Sequence, residues 1–229
     1  MEKSNTIEKL FYYIVTSTYL ILPVLYLILQ PKKKYSLIIA VYGIVAFTLL
    51  FCLENAFPKN LIPLFVCIYT SLEYLFFSSF LYLIIKSKSA KKVILVLSCL
   101  FIVFEIIFFL TGEIGRLDSI PIGIETILIF LYVFIVLYEQ FKNIETHSMF
   151  STYYFWLALG LLIYLGGSFF FNIMINYISS KEMSKYLYIT YIPETLKNIF
   201  FAIAMFLNVK NSGGDKFSKA KSVPYLDMI

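Results

Sequence analysis

The sequence predicts an all-α, polytopic integral membrane protein: a seven-transmembrane-helix bundle with its N-terminus outside and its C-terminus cytoplasmic. Three observations carry this. The 229 residues are 60% hydrophobic and only 14% charged, whereas soluble domains carry about 25% charged residues, and the mean hydropathy is +0.84. The apolar residues fall into seven long runs, and a helix needs ~20 residues to cross the hydrocarbon core. The basic residues between the runs alternate in number from one side to the other.

The predicted spans are 7–29, 35–54, 61–86, 91–112, 119–141, 153–179 and 186–208. The first run is too long for a signal-peptide core, its flank mixes Glu2 and Glu8 with Lys3 and Lys9, and no small-residue cleavage site follows, so it is read as a retained span. Pro23, Pro63, Pro121 and Pro193 fall in or near spans, where neighbouring helices can satisfy the carbonyls that proline frees. Short polar stretches separate the runs: Lys32 to Lys34, Asn55 to Asn60, Lys86 to Lys92, Gly112 to Asp118, Asn143 to Thr152 and Ser180 to Lys185. Residues 1–208 form one transmembrane domain, followed by a short basic cytoplasmic tail, 209–229, that contains Gly213-Gly214.

Orientation follows from the lysine and arginine count. Loops one, three and five and the tail carry twelve basic residues, and the opposite side carries six. The net charge of +5 is concentrated in these loops and the tail, so it sets topology and meets anionic lipid; no nucleic-acid partner is expected. Cys52, Cys67 and Cys99 lie in apolar runs without a CxxC spacing and read as buried free thiols, and with His147 the only histidine, no zinc site of the usual kind can be assembled.

Function is signalled by ionisable residues inside the apolar runs. Glu73, Glu105, Glu125, Glu194 and Lys197 all lie where lipid should surround the chain, and a charge there faces a cavity or a partner. With the N-terminus outside, Glu105, Glu125, Asn172 and Glu194 fall in the outer half of the membrane, with Glu73 and Lys197 near the middle. One outward-facing pocket is expected to gather Glu105, Glu125 and Glu194, with Asn172 on its wall. Helical spacing supports inward faces: Tyr164, Ser168, Asn172 and Asn176 step by four, Thr190, Glu194, Lys197 and Asn198 share a face, and Tyr12, Thr16, Tyr19, Pro23 and Tyr26 form a polar-aromatic stripe. Such stripes also serve simple helix association, as do Gly160, Gly166 and Gly167.

Glu194 and Lys197 stand at i and i+3 and can pair on one helix. Alternatively, Lys197 meets a ligand carboxylate or counters Glu73 across the bundle. The remaining acids suit a proton or a small cationic ligand, because no second buried base is present. The ligand-binding candidates are therefore Glu73, Glu105, Glu125, Asn172, Glu194 and Lys197. A lysine midway along a seventh helix resembles the Schiff-base lysine of microbial rhodopsins in position. The nearest acid is three residues earlier rather than four, however, the third span lacks Arg and Trp, and Trp156 is at the wrong depth. No retinal or other cofactor is expected. No HExxH, GxSxG or P-loop is present, so no enzyme activity is expected.

The stretch Tyr154-Phe155-Trp156-Leu157-Ala158-Leu159-Gly160 to Gly167, with Lys197-Asn198-Ile199-Phe200-Phe201-Ala202-Ile203-Ala204, resembles the last two spans of small uncharacterised Bacteroidota membrane proteins. In layout the chain is similar to the seven-span membrane sensor regions of bacterial histidine kinases, although nothing after Lys210 could form a kinase. The resemblance implies sensing at the bacterial inner membrane, with output through a separate protein partner. The alternatives are a small proton- or cation-coupled transporter and a non-catalytic accessory subunit. A transporter of inverted-repeat design would show related halves, and no convincing repeat is visible.

Overall fold

The computed structural model describes residues 2–31, 33–55, 62–111, 119–142, 149–174 and 180–219, with side chains over 9–31, 33–53, 64–111, 120–142, 150–169 and 190–210. Among the described residues seven α-helices follow one another: α1 Glu2–Leu29, α2 Lys34–Asn55, α3 Ile62–Ile84, α4 Lys88–Thr111, α5 Ser119–Lys142, α6 Tyr153–Met174 and α7 Ser180–Lys219, with a 3₁₀ turn, Met149–Ser151, before α6. Six contain stretches long and apolar enough to cross a membrane, and the corresponding stretch of α6 among the described residues, Tyr153–Phe169, is shorter. At 1.5 Å per residue a 22-residue helix such as α2 is about 33 Å long, the thickness of the hydrocarbon core. The chain is thus an α-helical integral membrane protein by length and composition.

Two expected boundaries move. The polar stretch from Ser180 to Lys185, read as a loop, is the first part of α7, and the tail expected from 209 continues that helix as far as Lys219. Ser, Lys, Glu and Met all tolerate helix, so polarity alone does not stop one. Elsewhere the stops are chemical. Gln30 takes a positive φ of 44° and its N–H bonds the carbonyl of Tyr26 at 2.9 Å, and Pro31 then prevents continuation. Ser87 caps α4, its Oγ accepting from the N–H of Ala90 at 3.3 Å. The α3–α4 linker is also held from α5, where the Glu139 carboxylate accepts from the N–H groups of Lys86 at 2.8 Å and Ser87 at 3.0 Å.

The helices close into a ring. α7 contacts both α6 and α1, and the circuit continues α1–α2, α2–α3, α3–α5 and α5–α6. α4 alone stands outside it, against α3 and α5, and is the least buried of the apolar stretches. Leu95, Leu100, Val103, Ile107 and Leu110 on its outer face are exposed, as suits lipid contact. The ring's interior is aromatic, with Phe77, Phe80 and Phe201 meeting edge-to-face at centroid separations of 5.5–6.4 Å.

Glycines set the closest helix approaches. A Cβ at Gly167 would lie 2.8 Å from Cβ of Pro193, and one at Gly160 would lie 3.2 Å from Cβ of Phe200. These two, seven residues apart, form the α6 face against α7, whereas Gly166 points to Phe130 on α5. The small side expected of this helix is therefore split between two neighbours. Between α1 and α2, a Cβ at Gly43 would come within 2.6 Å of the carbonyl oxygen of Tyr19. Pro23, four residues after Tyr19, has no N–H to give that carbonyl, so α2 approaches where the α1 ladder is interrupted.

Candidate functional site

α7 brings Glu194, Lys197 and Asn198 to the inside of the ring, all buried. Lys197 is 0% exposed and is the one buried cation among the described residues. Its ammonium lies 3.5 Å from Oε1 of Glu73 on α3, an ion pair that crosses the bundle. It donates to the hydroxyl of Tyr42 on α2, and to that of Tyr19 on α1 at 3.4 Å. Four rings surround it, with centroids at 3.7 Å for Tyr164, 4.9 Å for Tyr42, 5.3 Å for Tyr19 and 5.4 Å for Phe77. A desolvated cation–π contact is worth ~2 kcal/mol, so the rings replace part of the lost hydration of the ammonium.

Glu73 is equally well held. Tyr42 donates to its Oε1 at 2.8 Å, Tyr164 to its Oε2 at 2.8 Å, and Tyr69 reaches Oε1 at 3.5 Å. Glu194 accepts a hydrogen bond from the Tyr19 hydroxyl on its Oε1. The tyrosines are therefore bridges: Tyr42 accepts from Lys197 while donating to Glu73, and Tyr19 accepts from Lys197 while donating to Glu194. Tyr19 and Tyr69 stand 3.4 Å apart, oxygen to oxygen. A buried ion pair holds only when its remaining lone pairs and protons are satisfied, and these phenols satisfy them. Asn198 steadies the α1–α7 contact by donating to Thr18 Oγ1 at 2.9 Å.

A second polar group lies between α3, α4 and α5. Glu105 accepts from Ser71 Oγ at 2.7 Å on Oε2 and receives the Cys67 thiol at 3.9 Å on Oε1. One level away the hydroxyl of Tyr74 meets Ser98 Oγ and the hydroxyl of Tyr132, each at 2.9 Å. Glu125, on α5, is 3% exposed, and its Oε1 has no hydrogen-bond partner among the described residues. No trio of His, Cys, Asp and Glu side chains among the described residues could hold a metal ion.

Of the residues expected at the site, Glu73, Glu105, Glu125, Glu194 and Lys197 all point inward. Glu194 joins Glu73 and Lys197 inside the ring, whereas Glu105 faces α3 from α4. Asn172 is on α6, but its side chain lies outside the described residues, as does Asn176. Of the two pairings open to Lys197, the structure has the cross-bundle one with Glu73 rather than the i, i+3 one with Glu194, whose Oε1 accepts from the Tyr19 hydroxyl. Aromatic rings pack around Lys197, and a narrow cleft is lined by Tyr42, Tyr69, Glu73 and Phe76.

Tyr42 and Tyr69 were not evident from the sequence. The available signal was a tyrosine midway in an apolar helix, where its hydroxyl must find a partner, and Tyr69 stands four residues before Glu73. With nineteen tyrosines in the chain, that signal does not discriminate.

A ring of apolar helices closed around a phenol-bridged ion pair defines the class: a polytopic helical membrane protein with a polar interior. No protein-family model, curated protein or solved structure matches the chain.

Proposed function

We propose that the protein is a sensory or signal-transducing module of the bacterial inner membrane, with its N-terminus outside, passing its state to a separate protein partner. The observation that carries this reading is the Lys197 centre, at which α1, α2, α3, α6 and α7 meet through one ammonium. A change in charge at Glu73, Glu194 or Lys197 alters the contacts of five helices together. α7, with 40 residues, is about 60 Å long, and Lys197 stands near its middle. A tilt there is carried to the cytoplasmic end. A stimulus moves such an equilibrium only by its differential affinity for the two states, and the closeness of the rings favours a proton or a small cation over an organic ligand.

The test is hydrogen–deuterium exchange of α7 in proteoliposomes as the outside pH is stepped. Exchange beyond Ala204 should change in the wild type and stay fixed in a Glu73→Gln, Lys197→Met double variant. An unresponsive wild type sinks the reading. A reporter fused to the C-terminus should be cytoplasmic, following the basic-residue bias; activity on the outer side overturns the orientation.

Transport by the same acids is the second reading, favoured by the Tyr74–Ser98–Tyr132 contact that continues the polar groups beyond Glu105. It predicts gradient-driven proton or cation flux in liposomes, lost in Glu73→Gln.

A further inference from the structure

Five ionisable side chains that charge at neutral pH are buried among the described residues: Glu73, Glu105, Glu125, Glu194 and Lys197. Four carboxyls thus face one ammonium. The effective penalty for an uncompensated buried ion is several kcal/mol, and a group so placed takes up or loses a proton instead. Lys197 and Glu73 balance each other at 3.5 Å. Three acids remain, and their support differs. Glu194 has the Tyr19 phenol and lies one turn from Lys197. Glu105 has the Ser71 hydroxyl and the Cys67 thiol. Glu125 is 3% exposed and has an oxygen with no partner among the described residues.

The surroundings of Glu125 make an anion there worse. The charged groups that act on it are Glu73 from α3 and Glu105 from α4, both repulsive, and Lys197 from α7, already engaged. Tyr74 of α3 feels its charge as well. On α6, the other helix against α5, the Tyr164 hydroxyl is committed to Glu73. On α5 itself Tyr132 is bonded to Tyr74. Thr126, the next residue, turns its hydroxyl to the carbonyl of Ile122 at 2.8 Å, so it gives Glu125 nothing.

We propose that Glu125 is a proton-binding site, held as the neutral carboxylic acid between α3, α4 and α5, distinct from the Lys197 centre. The reaction is a simple exchange. On release the O–H bond of the carboxyl breaks, the proton passes to water, and the electron pair stays on the carboxylate; on return the same bond forms. Glu105, with a hydroxyl and a thiol already donating to it, is the better anion of the two, and its charge opposes loss of the proton from Glu125. This assignment does not rest on the sensory reading: a protein that fails every signalling test still needs a proton at Glu125.

The experiment is infrared spectroscopy of the full-length protein in lipid at neutral pH, unlabelled and with ¹³C-glutamate. The wild type should show the carbonyl stretch of a protonated glutamate, moved to lower frequency by the label. The band should be lost or clearly reduced in Glu125→Gln and retained in Glu139→Gln, whose carboxylate serves the exposed α3–α4 linker. Absence of a protonated-glutamate band in the labelled wild type overturns the proposal, as does a band unchanged in Glu125→Gln. An ionised Glu125 matched to sodium or potassium, seen as a carboxylate band that shifts with those ions, overturns it as well. Glutamine copies the shape and neutrality of the protonated acid, so Glu125→Gln should fold with wild-type stability. Failure of that variant to fold counts against the proposal.

Discussion

Lys197→Met alone is expected to destabilise the folded protein by about 3–5 kcal/mol, the usual effect of removing one partner from a buried ion pair. The loss has three sources: Glu73 is left without its counter-charge inside the bundle, Tyr42 and Tyr19 lose a donor, and four rings lose the cation they surround. Adding Glu73→Gln should restore much of the stability, because the neutral amide keeps a carbonyl for the Tyr42 or Tyr164 hydroxyl. Adding Glu194→Gln instead should restore less, because the ammonium pairs directly with Glu73, whereas Glu194 takes its hydrogen bond from Tyr19. Thermal unfolding in detergent of the wild type, the single variant and both double variants measures this. Equal rescue by the two second substitutions would show that the ammonium is shared evenly between the acids. Rescue by Glu194→Gln alone would return the pair to a single helix, where spacing along the sequence places it.

Gly43→Ala should be comparably severe, for a steric reason. The added carbon would sit 2.6 Å from a backbone oxygen, that of Tyr19, with Cβ of Leu22 and Cδ of Pro23 each at 3.1 Å. A carbonyl on a helix cannot rotate away, so α1 and α2 must separate, at a penalty of roughly 1–3 kcal/mol or more. The damage extends to chemistry, because Tyr19 and Tyr42 approach the ammonium from the two helices that would part. Gly123→Ala is the control. Nothing lies within 4 Å of its added carbon, and alanine is preferred to glycine in a helix by about 1 kcal/mol, so this variant should be neutral or slightly stabilised. Equal melting temperatures for the two variants would remove close approach from the account of the α1–α2 contact.

The helices were legible because apolar run length and composition determine them almost alone. The inward direction of the five ionisable groups was legible too, since burying a charge in lipid-facing positions is prohibitive. Partner choice was left open. Spacing along a helix reveals neighbours at i+3 and i+4, and so it offered Glu194 to Lys197, with Glu73 across the bundle standing only as an alternative. Glu73 is 124 positions away in the chain and becomes a neighbour only because α7 returns to close the ring. Tyr42 and Tyr69 were hidden for a similar reason: a tyrosine in an apolar run is indistinguishable from a packing residue until its hydroxyl is placed. The extension of α7 was missed because the residues before the apolar stretch are polar without being helix-breaking, and those after it include Gly213 and Gly214, which disfavour a helix without forbidding it.

The closure of the ring by its last helix bears on biogenesis. Glu73, Tyr19 and Tyr42 leave the ribosome long before Lys197 does. Until α7 is inserted, the acid of α3 has no counter-charge in the membrane, and the flank of α1 that α7 will cover is open. A nascent chain halted before α7 therefore presents an unmatched acid within the lipid and an incomplete wall, both of which membrane quality control can recognise. Insertion of α7 supplies the missing charge and the missing wall in one event, so completion of synthesis and maturation of the interior coincide at Lys197.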